Sequence, residues 1–194
     1  GKINIPLDDV DLMSFSAHKI DGLKGVGCLI KKENINLEPL IHGGKSTTIY
    51  RSGTPAVGLI CSISKALRLA TENLEKKYEH VLEMNNYLKE QLKKYNKVFI
   101  NSNEKSIPFV LNMSVIGIKP ETLLHALEED EIYISTQSAC SSNTTMSKAV
   151  YNLTKSEERA SSSVRVSISY LTTKEEIDKL LESFDKIYNR LIKE

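Results

Sequence analysis

Apolar positions recur along this chain with two different periods. "VDLMSF" (10–15) alternates after Asp11 and predicts a short strand. "GVGCLIKK" (25–32) predicts a second, with Cys28 and Ile30 on one face. A turn carrying Lys19 lies between them. "LIHGGK" (40–45) reads as a glycine-punctuated loop, and "YRSGTPAVG" (50–58) as a turn feeding a helix, with Pro55 in the first turn where its missing N–H costs little. From there the period lengthens. Ile60, Ile63, Leu67, Ala70, Leu74, Tyr78, Val81, Leu88 and Leu92 keep near-helical spacing with charge between them, and no proline or glycine interrupts from Ala66 to Asn96. The pattern predicts one long helix that links two parts of the molecule or packs on a large sheet. A coiled coil would need more regular flanking charges.

Beyond Asn96 short strands and helices mix. Val98–Ile100, Phe109–Met113, Ile132–Ile134 and Val164–Ile168 predict strands. Pro120 followed by "ETLLHALEED" predicts a helix, with Glu121 near its positive end. Thr173 followed by Lys174, Glu175 and Glu176 is a capping box. It opens a last helix in which Ile177, Leu180, Leu181, Phe184, Ile187, Tyr188 and Leu191 share a face. The second half is therefore expected to be helices on a small sheet, an α+β arrangement. No internal repeat or low-complexity segment stands out.

Composition narrows the picture. A chain of 194 residues with a net charge of +1 has the length of one domain or two, and no general pull toward nucleic acid or acidic membranes. The opening "GKINIPLDDVD" has no long apolar run, so neither a signal peptide nor a membrane span is expected there, and a cytoplasmic location is the default. Cys28, Cys61 and Cys140 are widely separated, which suggests neither a disulfide framework nor a cysteine-only zinc site. The histidines at 18, 42, 80 and 125 lack metal-ligand spacing, so no metal is expected. His80 and His125 fall in helical patterns and read as surface or packing residues. Cys28 and Cys61, in apolar surroundings, read as packing residues.

Three stretches could carry chemistry. In "SFSAHKIDGLKGVG" (14–27), Ser16 and His18 accompany Lys19. A lysine amine that loses its proton can form a Schiff base, while a hydroxyl and an imidazole N–H suit a phosphate. The set could hold a phosphorylated aldehyde, pyridoxal 5′-phosphate, at both ends. Taken alone, it does not distinguish this from a solvated turn lysine. In "STQSACSSNTTMSKAV" (135–150), Cys140 sits among small polar residues, where a thiolate can reach a substrate. In "SVRVSIS" (163–169), Arg165 interrupts an alternating strand pattern. Its planar fork matches a carboxylate, and an edge-strand charge is the other reading.

Together, "DLMSFSAHKIDGLKGVGCL", "HGG…RSGT", "SACSS" and "SSSVRVSISYLTTKEEID" resemble, in order and over nearly the whole chain, the landmarks of the pyridoxal-phosphate cysteine desulfurases, the NifS-like branch of the class V aminotransferases. The resemblance implies an α/β fold: the C-terminal part of a fold-type I transferase. Residues 1–76 would be the remnant of the large cofactor-binding domain. Residues 77–194 would be a small α+β domain with the catalytic cysteine loop, the long helix linking the two. It implies that Lys19 binds the cofactor covalently and moves protons at the substrate α-carbon. His18 and Ser16 would hold the cofactor phosphate. Thr54 would reach the phosphate in the other subunit of a homodimer, and Arg165 would clamp the carboxylate of L-cysteine. Cys140 would take the sulfur as a persulfide, leaving L-alanine, and pass it to an acceptor protein such as an iron–sulfur scaffold or a thiolation enzyme. The "SACSS" form with its polar loop resembles the group that hands sulfur to partners.

The chain departs from the family pattern at Lys45–Tyr50, where a stretch richer in Gln and Glu is expected, and in beginning at "GKINI". In the family that point follows the aspartate that pairs with the pyridine nitrogen. The residues here would thus be about the C-terminal half of the enzyme, and inactive or nearly so alone. A non-catalytic docking or dimerisation module, a selenocysteine lyase and a class V aminotransferase are the competing readings.

Overall fold

A computed structural model of the chain describes residues 2–44, 48–136 and 146–192. The chain forms two compact units, Gly1–Lys76 and Lys77–Glu194.

In the first unit, β1 (Leu12–Ser16) and β2 (Gly27–Lys31) pair antiparallel, with Leu12 opposite Lys31 and Ser16 opposite Gly27. Met13 and Phe15 turn to the half-buried face while Leu12 and Ser14 are exposed, as period-two alternation requires. Cys28 and Ile30 share the half-buried face of β2, as expected. The helix α1 (Val57–Thr71) follows, with Pro55 just outside its N-cap, Ala56. Only Ile63 and Ala66 of α1 are buried. Cys61 is exposed, contrary to the packing role expected of it. It precedes Ile63 by two positions, which at about 100° per residue places it on the opposite side of the helix.

The single long helix expected from the apolar spacing is divided. α1 ends at Thr71 and α2 (Leu74–Leu92) begins after Glu72, in an extended conformation, and Asn73, at φ 55°. Asparagine enters the left-handed region more readily than other residues with a Cβ because its short side chain bonds locally. The Thr71 hydroxyl also donates to Leu67 O and Arg68 O, closing the last turn of α1.

In the second unit, β3 (Val98–Ile100), β4 (Val110–Val115) and β5 (Ser163–Ser167) form an antiparallel sheet in that order. Alternate residues of the strands, Leu111, Met113, Val115, Val164 and Val166, are buried with Val81, Met84 and Leu88 of α2. α6 (Lys174–Leu191) adds Ile177, Leu181, Phe184 and Ile187 to the same core. Its capping box is present as the sequence predicts: Thr173 Oγ1 accepts from Glu176 N at 3.3 Å, and Glu176 accepts from Thr173 N at 2.9 Å. Tyr95 packs edge-on against Phe184, with centroids 5.1 Å apart. Its hydroxyl donates to Asp185 at 2.7 Å, fastening the end of α2 to α6. α3 (Pro120–Glu128) supplies Leu123 and Leu127.

Ile132–Ile134 is not a strand. The N–H of Ile132 is used to close α3, donating to Leu127 O at 3.0 Å, and Glu131 turns the chain at φ 59°. The two isoleucines still pack against the core. Two short helices, α4 (Lys148–Thr154) and α5 (Glu157–Ser161), follow, each opened by a serine cap, Ser147 and Ser156. Arg159 of α5 lies over the ring of Phe99, and Ser114 Oγ donates to Arg159 O at 2.7 Å. These contacts place α5 on the sheet face opposite the core. Among the described residues no helix is long and apolar enough to cross a membrane.

Candidate active site

The hairpin geometry of the first unit builds a compact polar turn. Where β1 ends, Ala17 N–H still reaches across to Val26 O at 3.1 Å. The chain then makes one 3₁₀ turn, Ala17–Lys19. Ile20 N and Gly22 N both return to Ala17 O, at 3.0 and 2.9 Å, and Asp21 takes φ 63° to complete the reversal. Ala17 is 0% exposed and forms the floor. Gly22 is pressed so close that an added Cβ would stand 3.0 Å from Ala17 and 3.1 Å from the Cβ of Ala66 on α1. Leu23 N–H donates to Ser62 Oγ of α1 at 3.3 Å. The turn is thereby clamped to the helix by its small residues, and its polar side chains are left outward.

Those side chains are Ser16, half-buried, and His18 and Lys19, both exposed. Ser16 ends β1 in an extended conformation, and His18 and Lys19 belong to the 3₁₀ turn that follows it directly. Thr54 is exposed and follows Gly53, at φ 113°, just before α1. The hydroxyl, imidazole, amine and second hydroxyl therefore all belong to the first unit.

Arg165 belongs to the second unit, at the centre of β5 and half-buried. Its backbone is paired on both sides. Asn112 of β4 lies directly opposite, and on the outer side Arg165 N–H donates to Ser135 O at 2.6 Å while Ser135 N–H donates to Arg165 O at 3.0 Å. Its strand is therefore not an open edge at this position, and the Nε of the side chain is shut off from solvent. Arg165 lines a cavity of about 310 Å³ with Asn101, Asn112, Thr136, Ser147 and Lys148. Cys140 lies outside the described residues. His80 and His125 take the structural roles expected of them: a ring nitrogen of His80 meets Thr172 O at 2.8 Å, and His125 Nδ1 meets Glu128 Oε2 at 2.9 Å. Among the described residues no three His, Cys, Asp or Glu side chains converge as metal ligands.

Comparison with known proteins decides the family. The Aminotransferase class-V profile matches residues 1–180. The chain belongs to the class V aminotransferases. Among curated members it is 38% identical to the cysteine desulfurase IscS of Buchnera aphidicola, over 98% of this chain and 48% of that protein. It is 36% identical to a NifS/IcsS protein homolog of Lactobacillus delbrueckii, over 95% of this chain and 49% of that one. The chain thus spans about half the length of the curated relatives it matches. Among solved structures, a NifS-like protein superposes with a TM-score of 0.82 at 31% identity, over 94% of this chain and 47% of its own. A NifS-like protein from Rickettsia africae superposes with 0.83 at 29%, over 97% of this chain and 51% of its own. The α/β fold expected from the sequence is the fold of these NifS-like structures.

A group of polar residues beside Arg165 is not evident from the sequence pattern. Asn101 and Asn112 are polar positions in or beside short strands, and Arg159 is a charged position on a short helix; such positions ordinarily face water and carry no local signal. In the structure Asn101 is 6% exposed and its carboxamide is fully engaged. Its Oδ1 accepts from Arg159 Nε and Nη2 at 3.0 and 2.6 Å, and its Nδ2 donates to Asn112 Oδ1 and Ser114 Oγ, both at 2.7 Å. A sequence signal for this existed only in the spacing: Asn112 and Ser114 on one strand face, with an arginine shortly before the last strand.

Proposed function

We propose that this chain is the C-terminal part of a pyridoxal-phosphate-dependent cysteine desulfurase. The observation that carries the reading is the clamped turn that presents Ser16, His18 and Lys19 together, in a class V chain. The chemistry of that donor set fits the cofactor: Lys19 would bind its aldehyde, and Ser16 and His18 would donate to its phosphate. Thr54 would serve the phosphate site of a second copy, making the working unit a homodimer. When bound, pyridoxal 5′-phosphate supplies an electron sink for charge that builds at the substrate α-carbon.

The protein's own groups do the rest. Arg165 holds the carboxylate of L-cysteine through its guanidinium fork. Lys19 Nζ moves protons at the substrate α-carbon. The Cys140 thiolate attacks the substrate sulfur and forms an S–S bond. The Cβ–S bond breaks, its electron pair stays on Cβ, and Cβ takes a proton to become the methyl group of L-alanine. Cys140 keeps the sulfur as a persulfide and delivers it to an acceptor protein, an iron–sulfur scaffold or a thiolation enzyme, in the cytoplasm. Residues 1–76 are the cofactor-domain portion and residues 77–194 the small domain.

The test is turnover by the full-length protein that contains this chain. With cofactor and L-cysteine it should form alanine and transferable sulfur in equal amounts, and Cys140→Ser should abolish both. Lys19→Ala should remove the bound cofactor's absorbance band. Alanine formation that survives Cys140→Ser would refute the mechanism. The 194-residue chain alone, given the same additions, should form no alanine.

A further inference from the structure

A row of polar side chains crosses the second unit's sheet on the face away from the core. Asn101, Asn112, Arg165 and Ser135 stand side by side: Asn101 N–H donates to Asn112 O at 2.8 Å, Asn112 is paired with Arg165, and Arg165 with Ser135. Residues directly opposite on antiparallel strands project to the same face. Asn112 and Arg165 therefore point the same way, and both line the cavity of about 310 Å³.

The direction in which Asn112 presents its carboxamide follows from donor and acceptor chemistry. A guanidinium only donates. The group of Asn101 that receives Arg159 Nε and Nη2 must therefore be its oxygen, which turns its NH₂ toward Asn112 and Ser114. That NH₂ must meet an acceptor, so the Asn112 atom facing Asn101 is Oδ1, at 2.7 Å. The Asn112 NH₂ is thereby turned away from Asn101. Its backbone is pinned as well, Asn112 N–H donating to Ser102 Oγ at 2.9 Å. The chain Arg159, Asn101, Asn112 thus fixes an N–H donor next to the Arg165 side chain.

We propose that Asn112 is a second substrate-binding residue: its side-chain N–H donates to the same carboxylate that Arg165 binds, with Arg159 and Asn101 as positioning residues. This rests on the reading of Arg165 as the carboxylate clamp. Two carboxylate oxygens offer more acceptor sites than one guanidinium edge fills. A neutral amide beside the arginine adds a donor without adding charge, and its pre-set orientation leaves little side-chain freedom to lose on binding.

The test is steady-state kinetics of the full-length, cofactor-loaded protein. A hydrogen bond to a charged group predicts that Asn112→Ala raises KM for L-cysteine about tenfold. Binding lost equally from ground and transition states should leave kcat much less affected. Asn112→Asp, which sets a carboxylate against the substrate's, should raise KM further. Arg159→Ala should raise it less than Asn112→Ala, because the donor is loosened and not removed. If Arg165→Ala leaves KM unchanged, the clamp reading itself fails. If Arg165→Ala raises KM and Asn112→Ala does not, only the present inference fails, and the row is a purely structural network. Should the variants not fold, the wild-type protein decides. The Asn112 side-chain amide resonances should move on titration with L-alanine and not with ethylamine, and resonances still under both ligands would overturn the proposal.

Discussion

Gly22 and Ala66 meet with no room for a side chain between them: a Cβ on Gly22 would stand 3.1 Å from the Cβ of Ala66 and 3.0 Å from Ala17 O. Neither neighbour can yield cheaply, since one is helix and the other is the carbonyl that closes the turn. Gly22→Ala should therefore cost about 1–3 kcal/mol, the usual range for overpacking. It should also shift the turn that carries Lys19. Thermal unfolding of the chain and cofactor binding by the full-length protein check the two effects. Gly22→Ala with unchanged stability and unchanged cofactor binding would mean the turn is not held by this contact.

Asn73 divides the helical stretch, at φ 55°. Left-handed backbone costs an ordinary L-residue about 1–2 kcal/mol, less for asparagine and nothing for glycine. Asn73→Ala should destabilise the chain by about 1 kcal/mol, and Asn73→Gly should be close to neutral. Denaturant midpoints of the two variants check the order. A more stable Asn73→Ala would indicate a continuous helix.

Tyr95 and Asp185 form a pH-dependent strut. The tyrosine hydroxyl, raised by burial and by its bond to Asp185, stays protonated above its ordinary range. The Asp185 carboxyl is held below its ordinary range, chiefly by that same bond and further by Lys94. The stabilisation from Asp185 is present above about pH 4, its ordinary value, and is lost as pH falls through the lowered value. The stabilisation from Tyr95 is present below about pH 10 and is lost as pH rises from there toward the raised value. Tyr95→Phe should cost about 1 kcal/mol near neutrality. The gap between variant and wild type should narrow at both extremes. Denaturant titrations across pH check this, and a gap independent of pH would contradict it.

The capping box at the start of α6 is a local feature with a local cost. Thr173→Ala removes the acceptor for Glu176 N–H and should destabilise the second unit by about 1 kcal/mol. Amide exchange in the first turn of α6 should accelerate in step. A change confined to other elements would count against the cap.

What could be read in advance was what local chemistry determines. The α6 face, its Thr173–Glu176 cap and the alternation of Met13, Phe15, Cys28 and Ile30 need only neighbouring residues. The break at Asn73 was hidden because asparagine is no obligate helix breaker and the apolar spacing continues across it. Ile132 looked like strand because its apolarity serves the core while its N–H serves the end of α3. Cys61 looked like core because its neighbours are apolar, but the face of α1 that is buried is set by Ile63 and Ala66. The turn proposed to hold the cofactor could be singled out from Ser16, His18 and Lys19 because they fall within four consecutive residues. Asn101, Asn112 and Arg159 could not, because they meet only through strand register and the placement of α5.

In the proposed mechanism Cys140 receives the substrate sulfur. The most direct measurement uses the full-length protein, loaded with pyridoxal 5′-phosphate and exposed to L-cysteine carrying radiolabelled sulfur without an acceptor. The peptide containing Cys140 is then isolated under non-reducing conditions. Label is expected on that peptide, released by thiols, with one alanine formed for each labelled site. Alanine formation with no thiol-releasable label on the Cys140 peptide would contradict that mechanism.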